Sequence, residues 1–272
     1  MSFIQVITLA LVQGITEFLP ISSSGHLILG SWLFDWPDQG IVFDIAVHVG
    51  TLAAVLVYFR REWIQLLTGL AADQLVEVDE LGGTLRARTL ALLIVVGTVP
   101  IAIGGLLMKD SVEANFRTPD AVGWLLIGTA AALLVGEYVG SRVRTLPNLK
   151  LPDVGLIGLA QILAVFPGIS RSGVTMVIGL AVGMTRDSAA RFSMLLATPA
   201  IAGAGLLIAI DALDGTDEDW GAAALGAVIS AITAYLVIAG LMRLLRNGSF
   251  RPFAVYCAVA GVGVVVARAL GA

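Results

Sequence analysis

A chain of 272 residues that is 58% apolar, 13% charged and of mean hydropathy +0.94 lies outside the composition of soluble domains, where about a quarter of residues are charged. Its net charge of −4 comes with no basic face, which argues against a nucleic-acid partner. A single cysteine, Cys257, excludes an internal disulfide or a thiolate metal cluster and reads as packing.

Several apolar runs match the roughly 20 residues that cross about 30 Å of hydrocarbon, so the composition predicts an all-α integral membrane protein. No Lys or Arg precedes the first apolar run, and no signal peptide is expected. Residues 1–34 look apolar enough to span, but Pro20 and the run Ile21-Ser22-Ser23-Ser24-Gly25 divide them into pieces of about 14 residues, roughly 20 Å each. Such pieces predict a re-entrant helix-loop-helix, with Trp32 and Trp36 at an interface and a loop at Asp35, Pro37, Asp38 and Gly40. The first full span is expected over 41–59, carrying Asp44 and His48 and ended by Arg60, Arg61 and Glu62. Here His48 reads as a structural residue and Asp44 as solvated near the interface. An amphipathic stretch runs to Leu70, followed by loop residues Asp79, Glu80, Gly82 and Gly83. Further spans follow at 90–108, with a kink at Pro100, and at 121–136.

After Lys150 the pattern restarts. Pro167, Gly168 and the Ser170-Arg171-Ser172-Gly173 run interrupt 154–180 into a second re-entrant pair, followed by spans at 192–210, 221–242 and 253–267. Asp211, Asp214, Asp217, Glu218 and Asp219 form an acidic loop between the first two of these. The reading is an inverted-topology repeat, 1–150 and 151–272, each half one re-entrant pair plus three transmembrane helices. Twelve cations (Arg60, Arg61, Arg86, Arg88, Arg142, Arg144, Lys150, Arg186, Arg191, Arg243, Arg246 and Arg251) fall on one side, against Lys109, Arg117 and Arg268 on the other. The positive-inside rule makes the first side cytoplasmic. The first re-entrant pair then enters from outside and the second from inside, so their tips can meet.

The tips are related in sequence. Gln161 to Thr175 aligns without a gap on Gln13 to Leu27, pairing Gln13 with Gln161, Phe18 with Phe166, Ser22 with Ser170, Ser24 with Ser172 and Gly25 with Gly173, as a duplicated unit would. The copies differ where chemistry is concerned: Glu17 faces Val165, His26 faces Val174 and Ser23 faces Arg171. Helices starting at Ser22 or Ser23 and at Ser170 to Ser172 would turn two positive dipole ends and free N–H groups toward each other, an arrangement that attracts phosphate. Arg171 adds a planar fork of donors suited to phosphoryl oxygens. Helical spacing puts Gln13 with Glu17, Ser23 with His26, and Thr175 with Arg171 and Ser172 on common faces. Serines and glycines in membrane helices often do no more than allow close packing. A charge deep in the bilayer costs at least about 2.5 kcal/mol and is a functional candidate, which sets Glu17 and Arg171 apart.

The run QGITEFLPISSSGH resembles the glutamate-rich signature of the undecaprenyl-diphosphate phosphatase family, also called the bacitracin-resistance family. FPGISRSGVT resembles its second signature, and FDIAVHVGTLAAVLVYFRR extends the likeness along the chain. The resemblance implies a plasma-membrane (inner-membrane) hydrolase that converts the C55 isoprenyl diphosphate carrier lipid to its monophosphate for cell-wall synthesis, conferring bacitracin resistance, with its active site open to the outer face. It implies catalytic Glu17, Ser23, His26 and Arg171, with diphosphate binding by Ser22, Ser170, Ser172 and Thr175. A divalent cation, Mg2+ or Ca2+, is expected at Gln13 and Glu17, although Gln13 takes the less acidic option at its position and leaves Glu17 as the sole acid. Either Ser23, activated by His26, or His26 itself would attack phosphorus. The partners are the polyprenyl diphosphate lipid and the bilayer, and a homodimer stays open. Inverted repeats with broken helices are also transporter architecture, so a lipid-carrier flippase or anion transporter is the alternative.

Overall fold

The computed structural model describes residues 1–37, 39–79, 82–212 and 219–271, with 207–212 as backbone. Eleven helices carry the described fold. In the first half these are α1 (Phe3–Thr16), α2 (Ser23–Phe34), α3 (Ile41–Tyr58), α4 (Arg60–Gly69), α5 (Ala87–Phe116) and α6 (Pro119–Val139). In the second half they are α7 (Leu151–Gln161), α8 (Arg171–Ala181), α9 (Arg186–Ala212), α10 (Trp220–Leu245) and α11 (Arg251–Ala269). Among the described residues, α3, α5, α6, α9, α10 and α11 are long and apolar enough to cross a membrane. By contrast α1, α2, α7 and α8 have 14, 12, 11 and 11 residues, which reach at most about 21 Å and fall short of the bilayer core.

Local chemistry sets several helix ends. Ser22 and Ser170 cap α2 and α8, each Oγ accepting the N–H three residues on, from Gly25 and Gly173. Thr118 caps α6 with Pro119 at its first position, where a missing N–H costs nothing. Asp219 caps α10 through the N–H of Ala222. α5 continues through Pro100 over 30 residues and α9 through Pro199. The first span ends at Tyr58, just before Arg60, Arg61 and Glu62 as expected, and these residues open α4 after a break at Phe59. The loop expected after Leu70 contains an antiparallel hairpin, β1 (Leu75–Glu77) on β2 (Thr84–Arg86), a departure from the all-α reading. Asp38, Glu80, Asp214, Asp217 and Glu218, assigned to loops from the sequence, lie outside the described residues, as does the Asp211 side chain.

Helix pairs approach through small residues. α3 lies along α10 and α6 along α11. A Cβ on Gly50 would stand 2.2 Å from the Ala227 carbonyl oxygen, and one on Gly261 would stand 2.6 Å from that of Gly123. With no hydrophobic drive between helices in lipid, such backbone contact supplies the packing. The short helices cross over: α1 packs against α10 and α7 against α5.

One end of the bundle is tied by charge. Glu137, buried at the end of α6, accepts Arg186 Nε and Nη2 at 2.8 and 2.6 Å and the Phe250 N–H at 2.6 Å. Arg142 donates to the same carboxylate at 3.1 Å and to the Glu137 carbonyl. The cluster fastens the starts of α9 and α11 to the end of α6. Near the same helix, Arg191 donates to Glu62 at 3.0 Å and lies over the Phe59 ring, joining α9 to α4.

Candidate active site

The turn Glu17–Ser22 between α1 and α2 meets the turn Phe166–Ser170 before α8, and polar backbone is satisfied reciprocally where they touch. Gly168 N–H donates to Ser22 Oγ at 3.0 Å across 146 residues. In return Ser172 Oγ donates to the Leu19 carbonyl at 2.9 Å, as Ser170 Oγ does at 3.5 Å. Thr129, buried on α6, donates to the Gly168 carbonyl at 2.8 Å and accepts Ser170 N–H at 3.4 Å. Irregular backbone survives at membrane depth where protein supplies such partners. Ser22 holds φ +71 and Gly168 φ +111, so the tips also carry backbone that is unfavourable for an ordinary residue.

The buried carboxylate of Glu17 is the junction between the two tips. Its Oε1 accepts Arg171 Nη2 at 2.8 Å. Its Oε2 accepts Ser23 Oγ at 2.5 Å and Gln13 Nε2 at 2.9 Å, and His48 Nε2 stands 3.8 Å from the same oxygen. An ionised acceptor makes the serine bond short and strong. Two polar atoms here are buried with no hydrogen-bond partner, Gln13 Oε1 and Arg171 Nη1. One is an acceptor, the other a charged donor. Buried groups are rarely left unpaired without a reason.

His26 faces elsewhere. Its Nδ1 lies 2.7 Å from the Ser22 carbonyl oxygen and its Nε2 lies 2.7 Å from the Tyr256 hydroxyl on α11. A carbonyl can accept only, so Nδ1 carries the proton and Nε2 accepts from tyrosine. Among the described residues Ser23 and His26 therefore share no hydrogen bond, although one helix face carries both. Ser23 is paired with Glu17.

The structure thus brings Gln13, Glu17, Ser23 and Arg171 into one network and places His26 at its edge. Ser22, Ser170 and Ser172 lie at the same junction with their hydroxyls spent on caps and on the opposite tip. Thr175 points away: its hydroxyl meets Ser193 at 2.6 Å on α9 and donates to the Arg171 and Ser172 carbonyls at 3.0 Å. Gln161, the counterpart of Gln13, anchors to the Gly97 carbonyl at 2.6 Å. Three residues that sequence reasoning passed over belong to the neighbourhood: His48, Tyr256 and Thr129. His48 had a signal, since an imidazole one turn after Asp44 in an apolar span is costly unless partnered. Its Nδ1 meets the Asp44 carbonyl oxygen at 2.7 Å, which turns Nε2 toward Glu17. Asp44 itself is partly buried and accepts Gln39 Nε2 at 2.8 Å, so it is not simply solvated. Tyr256 and Thr129 gave no such signal, being residue types common in membrane helices.

A polytopic helical membrane protein whose two broken helix pairs set an alcohol, a carboxylate and a guanidinium on one another has the parts for transferring an anionic group. The family model described as bacitracin resistance protein BacA matches residues 6–263, and the chain belongs to that family. It is 44% identical over 268 residues to an undecaprenyl-diphosphatase of Alcanivorax borkumensis, covering 97% of this chain and 98% of that protein. It is 44% identical over 270 residues to undecaprenyl-diphosphatase 2 of Stutzerimonas stutzeri, covering 98% of each. An undecaprenyl-diphosphatase of Hahella chejuensis is 41% identical over 274 residues, again covering 98% of each.

Proposed function

We propose that this protein is an undecaprenyl-diphosphatase, a membrane hydrolase that removes the terminal phosphate of the C55 carrier lipid and returns the monophosphate to cell-wall synthesis. The observation that carries the reading is Glu17, which holds Ser23 of one tip and Arg171 of the other on its two oxygens.

In the proposed reaction the diphosphate draws Arg171 toward its oxygens, using the unpaired Nη1 and the N-terminal ends of α2 and α8. Ser23 Oγ attacks the terminal phosphorus and passes its proton to Glu17. The bond from phosphorus to the bridging oxygen breaks, and the lipid monophosphate leaves with that electron pair. Water then attacks the phosphoseryl group, the Oγ–P electron pair returns to Ser23 with a proton, and orthophosphate departs. His26, whose Nδ1–H is fixed by the Ser22 carbonyl, offers Nε2 to that water once Tyr256 turns away. A general base so placed is worth roughly 10²–10⁴ in rate.

A divalent cation fits Gln13 and Glu17 once the carboxylate gives up one of the bonds it makes with Arg171, Ser23 or Gln13. The unpaired Gln13 Oε1 and the Glu17 carboxylate are hard oxygens, and Mg2+ in particular takes one or two carboxylates plus substrate phosphates. Gln13 and Glu17 would hold it, and it would offset charge on the diphosphate. Among the described residues no group of three or more His, Cys, Asp or Glu residues suits a metal without substrate.

The repeat and its orientation belong to the same proposal. The halves 1–150 and 151–272 are read as inverted copies, supported by the matched caps at Ser22 and Ser170 and by the exchange that puts α1 on α10 and α7 on α5. The charge bias supports a reading in which the hairpin lies on the cytoplasmic side of the plasma membrane and the first re-entrant pair opens to the outer face. The test is phosphate release from undecaprenyl diphosphate by protein in detergent, where no gradient exists, with trapping of the phosphoenzyme. An acid-stable adduct is expected for phosphoserine. An acid-labile one would transfer the attack to histidine, and no release at all would overturn the hydrolase reading.

A further inference from the structure

His48 stands beside the Glu17 carboxylate yet has no part in the reaction as proposed. It comes from the span α3 and from neither tip, and its side chain is 32% exposed, so a small ligand can reach the ring. Its Nδ1 lies 2.7 Å from the Asp44 carbonyl oxygen. A carbonyl only accepts, so Nδ1 carries the proton of the neutral ring and Nε2 presents a lone pair. That nitrogen stands 3.8 Å from Glu17 Oε2, and two acceptors so placed repel unless positive charge lies between them. A proton on Nε2 would draw the pair to the roughly 2.7–2.9 Å of a charge-assisted hydrogen bond. The observed 3.8 Å is instead less than twice the roughly 2.1 Å of a metal–ligand bond, so one cation can touch both atoms. Arg171 already supplies Glu17 with a positive partner. Gln13 does not have one: its buried Oε1 is an acceptor without a donor, on an amide whose Nε2 is bonded to the same Oε2.

Histidines that bind metals almost always donate their other ring N–H to a carboxylate, a backbone carbonyl or water, as His48 does. His26 makes the same Nδ1 bond, but Tyr256 takes its Nε2. We infer that His48 Nε2 is a ligand of the divalent cation, beside the Glu17 carboxylate and Gln13 Oε1, and that it sets which cation is taken. The inference rests on the diphosphatase reading for the presence of a cation. Gln13 gives up its bond to Oε2 and turns its amide so that Oε1 faces the metal. Ca2+ takes oxygen ligands, whereas imidazole suits first-row transition ions, so the nitrogen tilts the site away from Ca2+ and toward an ion such as Mn2+. A neutral ring and a neutral amide beside a single carboxylate also leave the dication a net positive charge with which to meet the diphosphate.

Pulsed EPR of Mn2+ tests it, on protein in detergent with farnesyl methylenediphosphonate, whose P–C–P bridge is not hydrolysed. Phosphorus coupling shows that the ion sits at the diphosphonate, and imidazole nitrogen coupling shows the ligand. The chain has 2 histidines, so variants assign the nitrogen: it should be present in the wild type, kept in His26→Ala and lost in His48→Gln. Phosphorus coupling without imidazole nitrogen, a nitrogen signal that leaves with His26, or no bound Mn2+ would each overturn the inference. His48→Gln should also lower Mn2+ affinity at least about tenfold, since even residues that only support a ligand are worth that much, and lower Ca2+ affinity less. Were His48 a positively charged partner of Glu17, the same variant would remove a charge and tighten both ions alike, which would likewise overturn the inference. If His48→Gln does not fold, the wild type and His26→Ala decide it. Coupling is read without turnover, so imidazole on the ion with no phosphate release from undecaprenyl diphosphate would sink the reaction and keep the ligand. Phosphate release with no imidazole on the ion would do the reverse.

Discussion

At the scale of single residues, the division of labour among the serines is the feature with most consequence. Ser23 is partly exposed and bonded to a carboxylate, whereas Ser22 is buried and accepts two backbone N–H groups, from Gly25 and Gly168. Substitutions one position apart should therefore fail differently. Ser23→Ala is expected to lower phosphate release at least about 100-fold, far more than the modest drop in thermal midpoint that losing one of the bonds on Glu17 brings. Activity near wild type would remove Ser23 from the reaction. Ser22→Ala leaves two buried donors without an acceptor and should cost about 1–3 kcal/mol, read as a lowered midpoint. An unshifted midpoint would show that the tips do not depend on that bond. Sequence reasoning found these residues because a Pro, a Ser/Gly run and a buried acid stand out in an apolar chain. It did not give their partners, because helical spacing reports a shared face and not a contact: Ser23 and His26 lie three apart, yet one turns to Glu17 and the other to Tyr256.

At the scale of the elements, two contacts decide how the spans are held. The α3–α10 crossing has backbone against backbone at Gly50 and Ala227. Gly50→Leu should prevent a folded monodisperse protein, checked by size-exclusion chromatography in detergent, since the atom it meets is a carbonyl oxygen and cannot turn aside. The Glu137 cluster is the second. Removing one partner of a buried ion pair typically costs about 3–5 kcal/mol, so Glu137→Ala should lower the thermal midpoint well beyond Arg142→Ala, because Arg186 and the Phe250 N–H lose their acceptor only in the former. Equal shifts would locate the tie elsewhere. The long spans were legible from hydropathy, and all but α3 extend past the apolar runs at both ends, as in α5, where Ala87–Phe116 replaces an expected 90–108. The hairpin was not legible: strands of three residues leave little pattern, and their pairing depends on a turn that carries charged residues. Glu137 escaped notice because its partners come from three separate segments.

The whole molecule can be oriented by chemistry on one atom type. The single cysteine, Cys257, is fully buried, so the wild-type chain should resist a membrane-impermeant maleimide on intact cells and on inverted vesicles alike. Thr84→Cys, exposed in β2, should then react from the inner face alone, and Glu113→Cys, exposed near the end of α5, from the outer face alone. Reaction of both from the same side would overturn the topology. The likeness of the two motifs was readable because its offset, 148 residues, is unbroken through both. How the two tips lock together was less readable, because apart from the Glu17–Arg171 pair the bonds between them run between side chains and backbone, which has no signature in sequence.

Those crossed bonds have a consequence for how the protein is made. The amide of Gly168 and the serine that receives it are separated by 146 residues, and translation proceeds at about 5–20 residues per second, so Ser22 leaves the ribosome roughly 7–30 s before its partner exists. Until then the Leu19 carbonyl lacks the Ser172 and Ser170 hydroxyls that it accepts in the folded protein. Either water reaches it there or the insertion machinery holds it at the surface until the second tip arrives to seal it.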